Sequence, residues 1–420
     1  MAGTLSIERT RPRSVAAPAY GEGGRAAVSE TLLMLAAASR DVKRSDRLTT
    51  LLDRPEEDWA TLWQLAAEQD VLPLLAHRLA SVPPASMEPP GVRETAAAIR
   101  RATLLRNMAL QAELQRIGRL LQPADIPMVP LKGTALAQRI FGTLEARRCG
   151  DIDILVPENQ WGAAYEMLLD DGYRPRERVT PGVKHHAFHG IPLVRESQSG
   201  GFVVELHWSL FDRRFVDVDE RALWQRVPAC HANGPLRALP NEELLLFLAV
   251  HSTKHSAGGL RLLADLDQLI ACERAALDWD RLRQLAADWQ ASDLLYFPLH
   301  ASRQLLGTPI PEPMLDALRP PRWKRAVVKR LAGQYAIFRP PVSIVEETRV
   351  ALAHCAMLRP ATRIPRAYWA LVLMPPADDE GSSIGLLTRR ARLLLAGLTR
   401  SIFAISTSLV ARRQPPAPLG

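Results

Sequence analysis

The sequence predicts an α+β protein: a small mixed-sheet α/β domain flanked by N- and C-terminal helical regions. Three observations carry this expectation. Apolar residues recur at three-to-four spacing before residue 122 and again after residue 241, the period of helices that bury one face. Between those stretches, short apolar runs alternate with helical segments, the pattern of a compact sheet with its helices. At 420 residues the chain is too long for one simple core, so two or three units are expected.

Residues 1–27 are rich in Arg, Pro, Gly and Ala and lack an apolar stretch, which predicts a disordered leader and not a signal peptide. Residues 28–122 read as a helical region. Helices are expected at Glu30 to Ala38, Trp59 to Glu68 and Arg93 to Leu121, with the Pro83-Pro84 and Pro89-Pro90 pairs marking a loop. Residues 123–240 hold the α/β domain. Its elements begin with a strand at Ile126 to Pro130, a helix opened by Lys132-Gly133-Thr134 and a strand at Asp151 to Val156. A helix from Glu158 to Asp171 follows, then strands at His185 to Val194 and Phe202 to Trp208. Residues 241–375 form a helical C-terminal domain, with helices at Glu242 to Ser256, Leu260 to Cys272, Trp279 to Trp289, Asp293 to Leu306, Trp323 to Ile337 and Ile344 to Leu358. Residues 376–420 are a linker plus a basic amphipathic tail helix. In it Arg389, Arg390, Arg392 and Arg400 oppose a leucine-rich face, a build that suits an anionic membrane surface or docking on the helical domain.

Composition narrows the class. Hydrophobic content of 47% with 23% charged residues is that of a globular protein in water. The net charge of +8 is spread over Arg-rich helices and both tails, so no specific nucleic-acid partner is expected. Cys149, Cys230, Cys272 and Cys355 are far apart and form no C-x-x-C pair, which argues against a zinc module or disulfide framework and fits a reducing cytoplasm. No apolar run of about 18 residues appears, so no membrane-spanning helix is expected. There is no G-x-S-x-G elbow, no Walker sequence and no G-x-G-x-x-G after a strand.

The chemistry-bearing stretch is Cys149-Gly-Asp-Ile-Asp-Ile-Leu-Val-Pro157. Residues two apart on a strand share a face, so Asp151 and Asp153 project together while Ile152 and Ile154 pack the other way. Paired acids at the end of an apolar strand repel and lose solvation, and a divalent metal carrying phosphate is the economical counter-charge. A second strand, Val203-Val-Glu-Leu-His207, puts Glu205 and His207 on one face; Glu205 would complete an oxygen site for Mg²⁺, or Mn²⁺. At the Leu131-Lys-Gly-Thr134 junction, Gly133 allows close backbone approach to a phosphate, the helix start offers free N–H groups and Lys132 adds charge. Arg147 or Arg148 could clamp phosphate or neutralise the acids. His185, in Lys184-His-His-Ala-Phe-His189, and His207 could contact substrate, although packing suits His207 as well. His251 and His255, one helical turn apart, read as packing or as a wall of the site, with Asp265 a candidate hydrogen-bond partner of one of them.

The order of these pieces, an apolar strand, Lys-Gly-Thr opening a helix, Arg-Arg-Cys-Gly-Asp-Ile-Asp-Ile-Leu-Val, a helix, Gly-Tyr and Val-Glu-Leu-His-Trp, resembles the polymerase-beta-like nucleotidyltransferase superfamily. More narrowly it is similar to its bacterial branch of uncharacterised nucleotidyltransferases, over about Ile126 to Leu210. The resemblance implies a nucleotidyltransferase-like domain that moves an NMP group from an NTP, ATP among them, to an acceptor and releases pyrophosphate. It implies that Asp151, Asp153 and Glu205 hold magnesium and act in catalysis, and that Gly133 and Thr134 form the phosphate loop, joined by Lys132 and Arg148. The chain departs from the superfamily in having Lys-Gly-Thr where Gly-Ser is usual, and in a longer span from Gly133 to Asp151. The acceptor could be a small molecule, a peptide or a protein. Two other readings stay open: a non-catalytic nucleotide- or metal-binding regulator on the same domain, and a basic scaffold that docks on membranes through its tail helix.

Overall fold

The computed structural model describes residues 59–84, 89–176, 189–196, 201–213, 215–228, 236–254, 259–332 and 352–358. The leader, the expected helix at Glu30 to Ala38, His185, His255 and the tail helix lie outside them.

The architecture is the expected α+β arrangement, a mixed sheet with helical stretches before and after it. The N-terminal stretch contains α1 (Trp59–Glu68), α2 (Leu72–Leu79) and the long α3 (Val92–Leu121). The sheet region runs β1 (Val129–Pro130), α4 (Gly133–Phe141), β2 (Ile152–Leu155), α5 (Trp161–Asp170), β3 (Arg174–Pro175), β4 (Gly190–Arg195) and β5 (Phe202–His207). After it come α6 (Glu220–Arg226), α7 (Asn241–Lys254), α8 (Gly259–Cys272), α9 (Trp279–Asp288), α10 (Ser292–Leu306), α11 (Glu312–Leu318) and α12 (Arg322–Ala332).

The sheet order is β1-β2-β5-β4-β3. Only β2 and β5 are parallel; the other neighbours are antiparallel. The crossover from β2 to β5 passes through α5, which packs on one face together with the second half of α3. On α3, Leu110, Leu114, Ile117 and Leu121 recur at helical spacing and are buried with Ile152, Ile154, Val204 and Leu206 of the strands and Trp161, Ala164 and Leu168 of α5. Each such leucine contributes about 2 kcal/mol by leaving water. Buried Glu113 of α3 ties this layer to the far edge of the sheet. It accepts hydrogen bonds from Arg116 (2.8 Å), Arg195 (2.7 Å) and the Tyr173 hydroxyl.

A second core joins the two helical stretches. Leu62, Leu74, Leu75 and Leu79 of α1 and α2 belong to the same buried cluster as Leu245, Leu248, Leu263 and Leu266 of α7 and α8. Arg261 meets Asp70 at 2.7 Å, and the Leu260 N–H donates to Gln69 Oε1 at 3.3 Å, across the same junction. Among the described residues, no helix is long and apolar enough to cross a membrane.

Element bounds differ from expectation where local chemistry competes with the period. The first strand shrinks to Val129–Pro130 because Pro127 and Pro130 cannot donate to a ladder; Met128 instead bridges to Leu236, accepting from the Arg237 N–H at 2.9 Å. Helix α5 starts at Trp161, after a single 3₁₀ turn at Glu158–Gln160. Helices α2, α6 and α11 give too few turns for a periodic signal. Helices this short depend on tertiary burial.

Candidate active site

The parallel pairing sets Asp153 directly opposite Glu205. Alternation then puts His207 on the Glu205 side of β5, one step further along. Its Nε2 lies 3.3 Å from Asp153 Oδ1 and 3.3 Å from Glu205 Oε2. One ligand atom from each of the three side chains falls within 4.8 Å of the others. Two carboxylates and an imidazole converging this closely form a donor set that can hold a divalent cation.

The β1–α4 junction closes one side. The Leu131 N–H donates to the Asp153 carbonyl at 3.0 Å, and Lys132 next to it reaches Asp153 Oδ2 with Nζ at 3.2 Å. Gly133 follows at φ +70°, a left-handed conformation that L side chains rarely adopt, and a Cβ there would stand 3.4 Å from the Asp151 carbonyl. The glycine therefore turns the chain into α4 against the backbone of Asp151. Thr134 is buried in the first turn of α4. Asp151 stands half-buried just before β2, outside the three-residue cluster, and its charge acts on Lys132.

Exposure grades across the cluster. The Asp153 side chain is 2% accessible, His207 6%, Lys132 16% and Glu205 40%, so the cluster opens to solvent on the Glu205 side. The charges are interdependent. Burial pushes the Glu205 carboxyl up, but the hydrogen bond and charge of His207, aided by Lys132, hold it down at about 2. Burial opposes charging of His207, yet its bonds to Asp153 and Glu205 raise it to about 9. Lys132 is likewise disfavoured by burial and held above the usual lysine range by Asp153, Asp151 and Glu205. The acids are thus balanced by two cations of the chain itself.

Backbone and buried pairs hold this geometry. Gly190 of β4 lies opposite His207, and a Cβ at position 190 would come within 2.7 Å of His207 Nδ1, so the ring rests on bare backbone. The His189 ring lies 5.1 Å from it, centroid to centroid. The loop entering β2 is fixed by Asn107, whose Nδ2 donates to the carbonyls of Leu144 at 2.6 Å and Arg147 at 2.7 Å. Arg147 is buried and grips Asp265 of α8 with two bonds of 2.9 Å each.

Asp153, Glu205, His207, Lys132 and Gly133 therefore meet at one place, as their spacing suggests. Of the two arginines considered for phosphate, Arg147 is taken up by Asp265, whereas Arg148 is 73% exposed and 3.7 Å from Asp70. His251 stacks on Phe247, in keeping with a packing role. Sequence reasoning passed over Asn107 and Gly190, and it set Asp265 beside the His251/His255 pair, whereas the carboxylate holds Arg147. Only Gly190, a glycine at the mouth of a strand, left a local signal, for the other two act across 40 and 118 residues.

No curated protein matches the chain. A family model described as "Uncharacterised nucleotidyltransferase" matches residues 55–307, which include α1 to α10 and the whole site. With more than half of its 420 residues so matched, and with Asp153, Glu205 and the helix-opening Gly133 brought together at one place, the chain belongs to the uncharacterised nucleotidyltransferase family.

Proposed function

We propose that the protein moves a nucleoside monophosphate from an NTP to an acceptor, a small molecule, a peptide or a protein, and releases pyrophosphate. The observation that carries the reading is the register of β2 against β5, which sets Asp153 beside Glu205 next to the left-handed turn at Gly133. Asp151, Asp153 and Glu205 hold the divalent ion, Mg²⁺ or Mn²⁺. When bound, it supplies charge stabilisation to the entering and leaving oxygens of an in-line displacement.

The remaining work falls to the chain. The N–H groups at the start of α4, with Gly133 and Thr134, cradle the β- and γ-phosphates of the NTP, ATP among the candidates. Lys132, 3.2 Å from Asp153, turns to the phosphates once that carboxylate is otherwise neutralised. Positioning and electrostatics of this kind dominate phosphoryl chemistry. Arg148, solvent-facing at the loop before β2, meets the nucleotide from outside, and a contact with substrate is assigned to His185. The acceptor enters past Glu205, the most exposed member of the cluster. We place the reaction in the cytoplasm, where NTPs are abundant and the free thiols of Cys149, Cys272 and Cys355 stay reduced. A basic tail helix at a membrane surface would bring the enzyme near acceptors held there.

The test is Asp153→Asn, a near-isosteric change at a buried position. Pyrophosphate release from each NTP, with a divalent ion and cell extract, should fall at least about a thousandfold, as for loss of a group that stabilises transition-state charge. The circular dichroism spectrum should not change. Full activity in a folded variant would overturn the proposal.

A further inference from the structure

We infer that His207 is itself a ligand of the divalent ion, through Nε2, and that this nitrogen biases the site toward a first-row transition ion over Mg²⁺. The inference rests on the metal-dependent reading above and specifies its ion.

The geometry is that of a coordination edge. Bonds of about 2.1 Å meeting at right angles separate neighbouring donor atoms by about 3.0 Å, and tetrahedral bonds of that length by about 3.4 Å. The two Nε2-to-oxygen distances are both 3.3 Å, so an ion could enter with shifts of a few tenths of an ångström. The ring has little freedom to be elsewhere. Its Nδ1 edge lies against the Gly190 backbone, where a Cβ would stand at 2.7 Å, and its other neighbour is the His189 ring at 5.1 Å. Nε2 is therefore the nitrogen presented between the two carboxylates, and a bound ion would take the place of the proton it shares with them, that proton passing to solvent. His207 is buried alongside Asp153, where a ligand is pre-oriented.

Donor chemistry then gives a direction. Mg²⁺ favours an all-oxygen octahedron and keeps its waters, so a fixed imidazole is a poor substitute for one of them. Transition ions accept imidazole readily. Had His207 acted only as a cation that positions the acids, it would stay outside the coordination sphere and leave selectivity to the oxygens.

The discriminating measurement uses the full chain with Mn²⁺ alone, read by electron spin-echo modulation from ligand ¹⁴N. Wild-type protein should show one directly bound imidazole nitrogen, and this result does not depend on any variant folding. His207→Asn should lose the modulation and weaken Mn²⁺ binding by about 10–100-fold, while Mg²⁺ affinity, from competition, moves less than about threefold. Mn²⁺ bound without nitrogen coupling would overturn the inference and leave the metal-dependent reading standing. Coupling that persists in His207→Asn would assign the nitrogen to His189 and also overturn it. Absence of saturable binding by either ion would sink both.

Discussion

Neutralising Asp265 should cost the protein much of its stability, although Asp265 lies outside the candidate cation cluster. Its carboxylate holds Arg147 through two bonds of 2.9 Å, with the two side chains 1% and 4% accessible. Burial disfavours a charged guanidinium, and the charge of Asp265 overcomes this and holds Arg147 above the ordinary arginine range. In Asp265→Asn the cation stays inside without its counter-charge. Arg261 cannot relieve it, being a second cation that lies 2.7 Å from Asp70. Removing one member of such a pair costs about 3–5 kcal/mol, whereas removing both charges with apolar residues of similar size is often neutral. At about 2.1 cal/mol/K of unfolding entropy per residue, a chain of 420 residues shifts by about 1 °C per kcal/mol, so the variant should melt roughly 3–6 °C lower. The double variant Arg147→Met/Asp265→Leu should recover most of that loss. Thermal unfolding followed by circular dichroism reads all three proteins. An Asp265→Asn protein melting within about 2 °C of wild type would refute the reasoning.

Two further outcomes test other parts of the structure. Gly133→Ala forces a side chain into a left-handed conformation at a cost of about 1–2 kcal/mol, so the turn should relax away from the phosphates. The KM for NTP should rise several-fold in a steady-state pyrophosphate assay, and an unchanged KM would count against the phosphate-loop role. Burial raises the Glu220 carboxyl to about 7, against the hydrogen bonds it accepts from Ser209 and the Leu210 N–H. The folded protein thus binds a proton more tightly than the unfolded chain. The associated stability is complete below the ordinary glutamate range, near pH 4.5, and is lost as pH rises through about 7. Urea unfolding at pH 5 and pH 8 should differ by up to about 3 kcal/mol from this group, and Glu220→Gln should remove that difference.

Much of the site was legible because its geometry is local. Alternation along Ile152–Leu155 and Phe202–His207 fixes which side chains share a face, and a glycine opening a helix fixes where the backbone bends. The parallel register that sets Asp153 against Glu205 adds only one long-range fact to these. What the sequence could not show is how the charges are divided. Alternation put His207 on the Glu205 face, but nothing in the run of letters says that its ring is wedged over Gly190 with Nε2 between two acids. Lys132 was legible as a cation near phosphate and not as the partner of Asp153, since that contact crosses from one strand end to the next. Arg147 looked like a phosphate ligand because its partner, Asp265, lies on a helix 118 positions later.

The buried cluster shared by α1, α2, α7 and α8 also constrains how the molecule is made. Leu74 and Leu79 leave the ribosome long before Leu245 and Leu263, with which they share that cluster. At about 5–20 residues per second, the gap corresponds to roughly ten to forty seconds of synthesis. During that interval the nascent helices lack the later half of their apolar cover, so the newborn chain has a window in which a chaperone could hold it and a neighbouring polysome could entangle it.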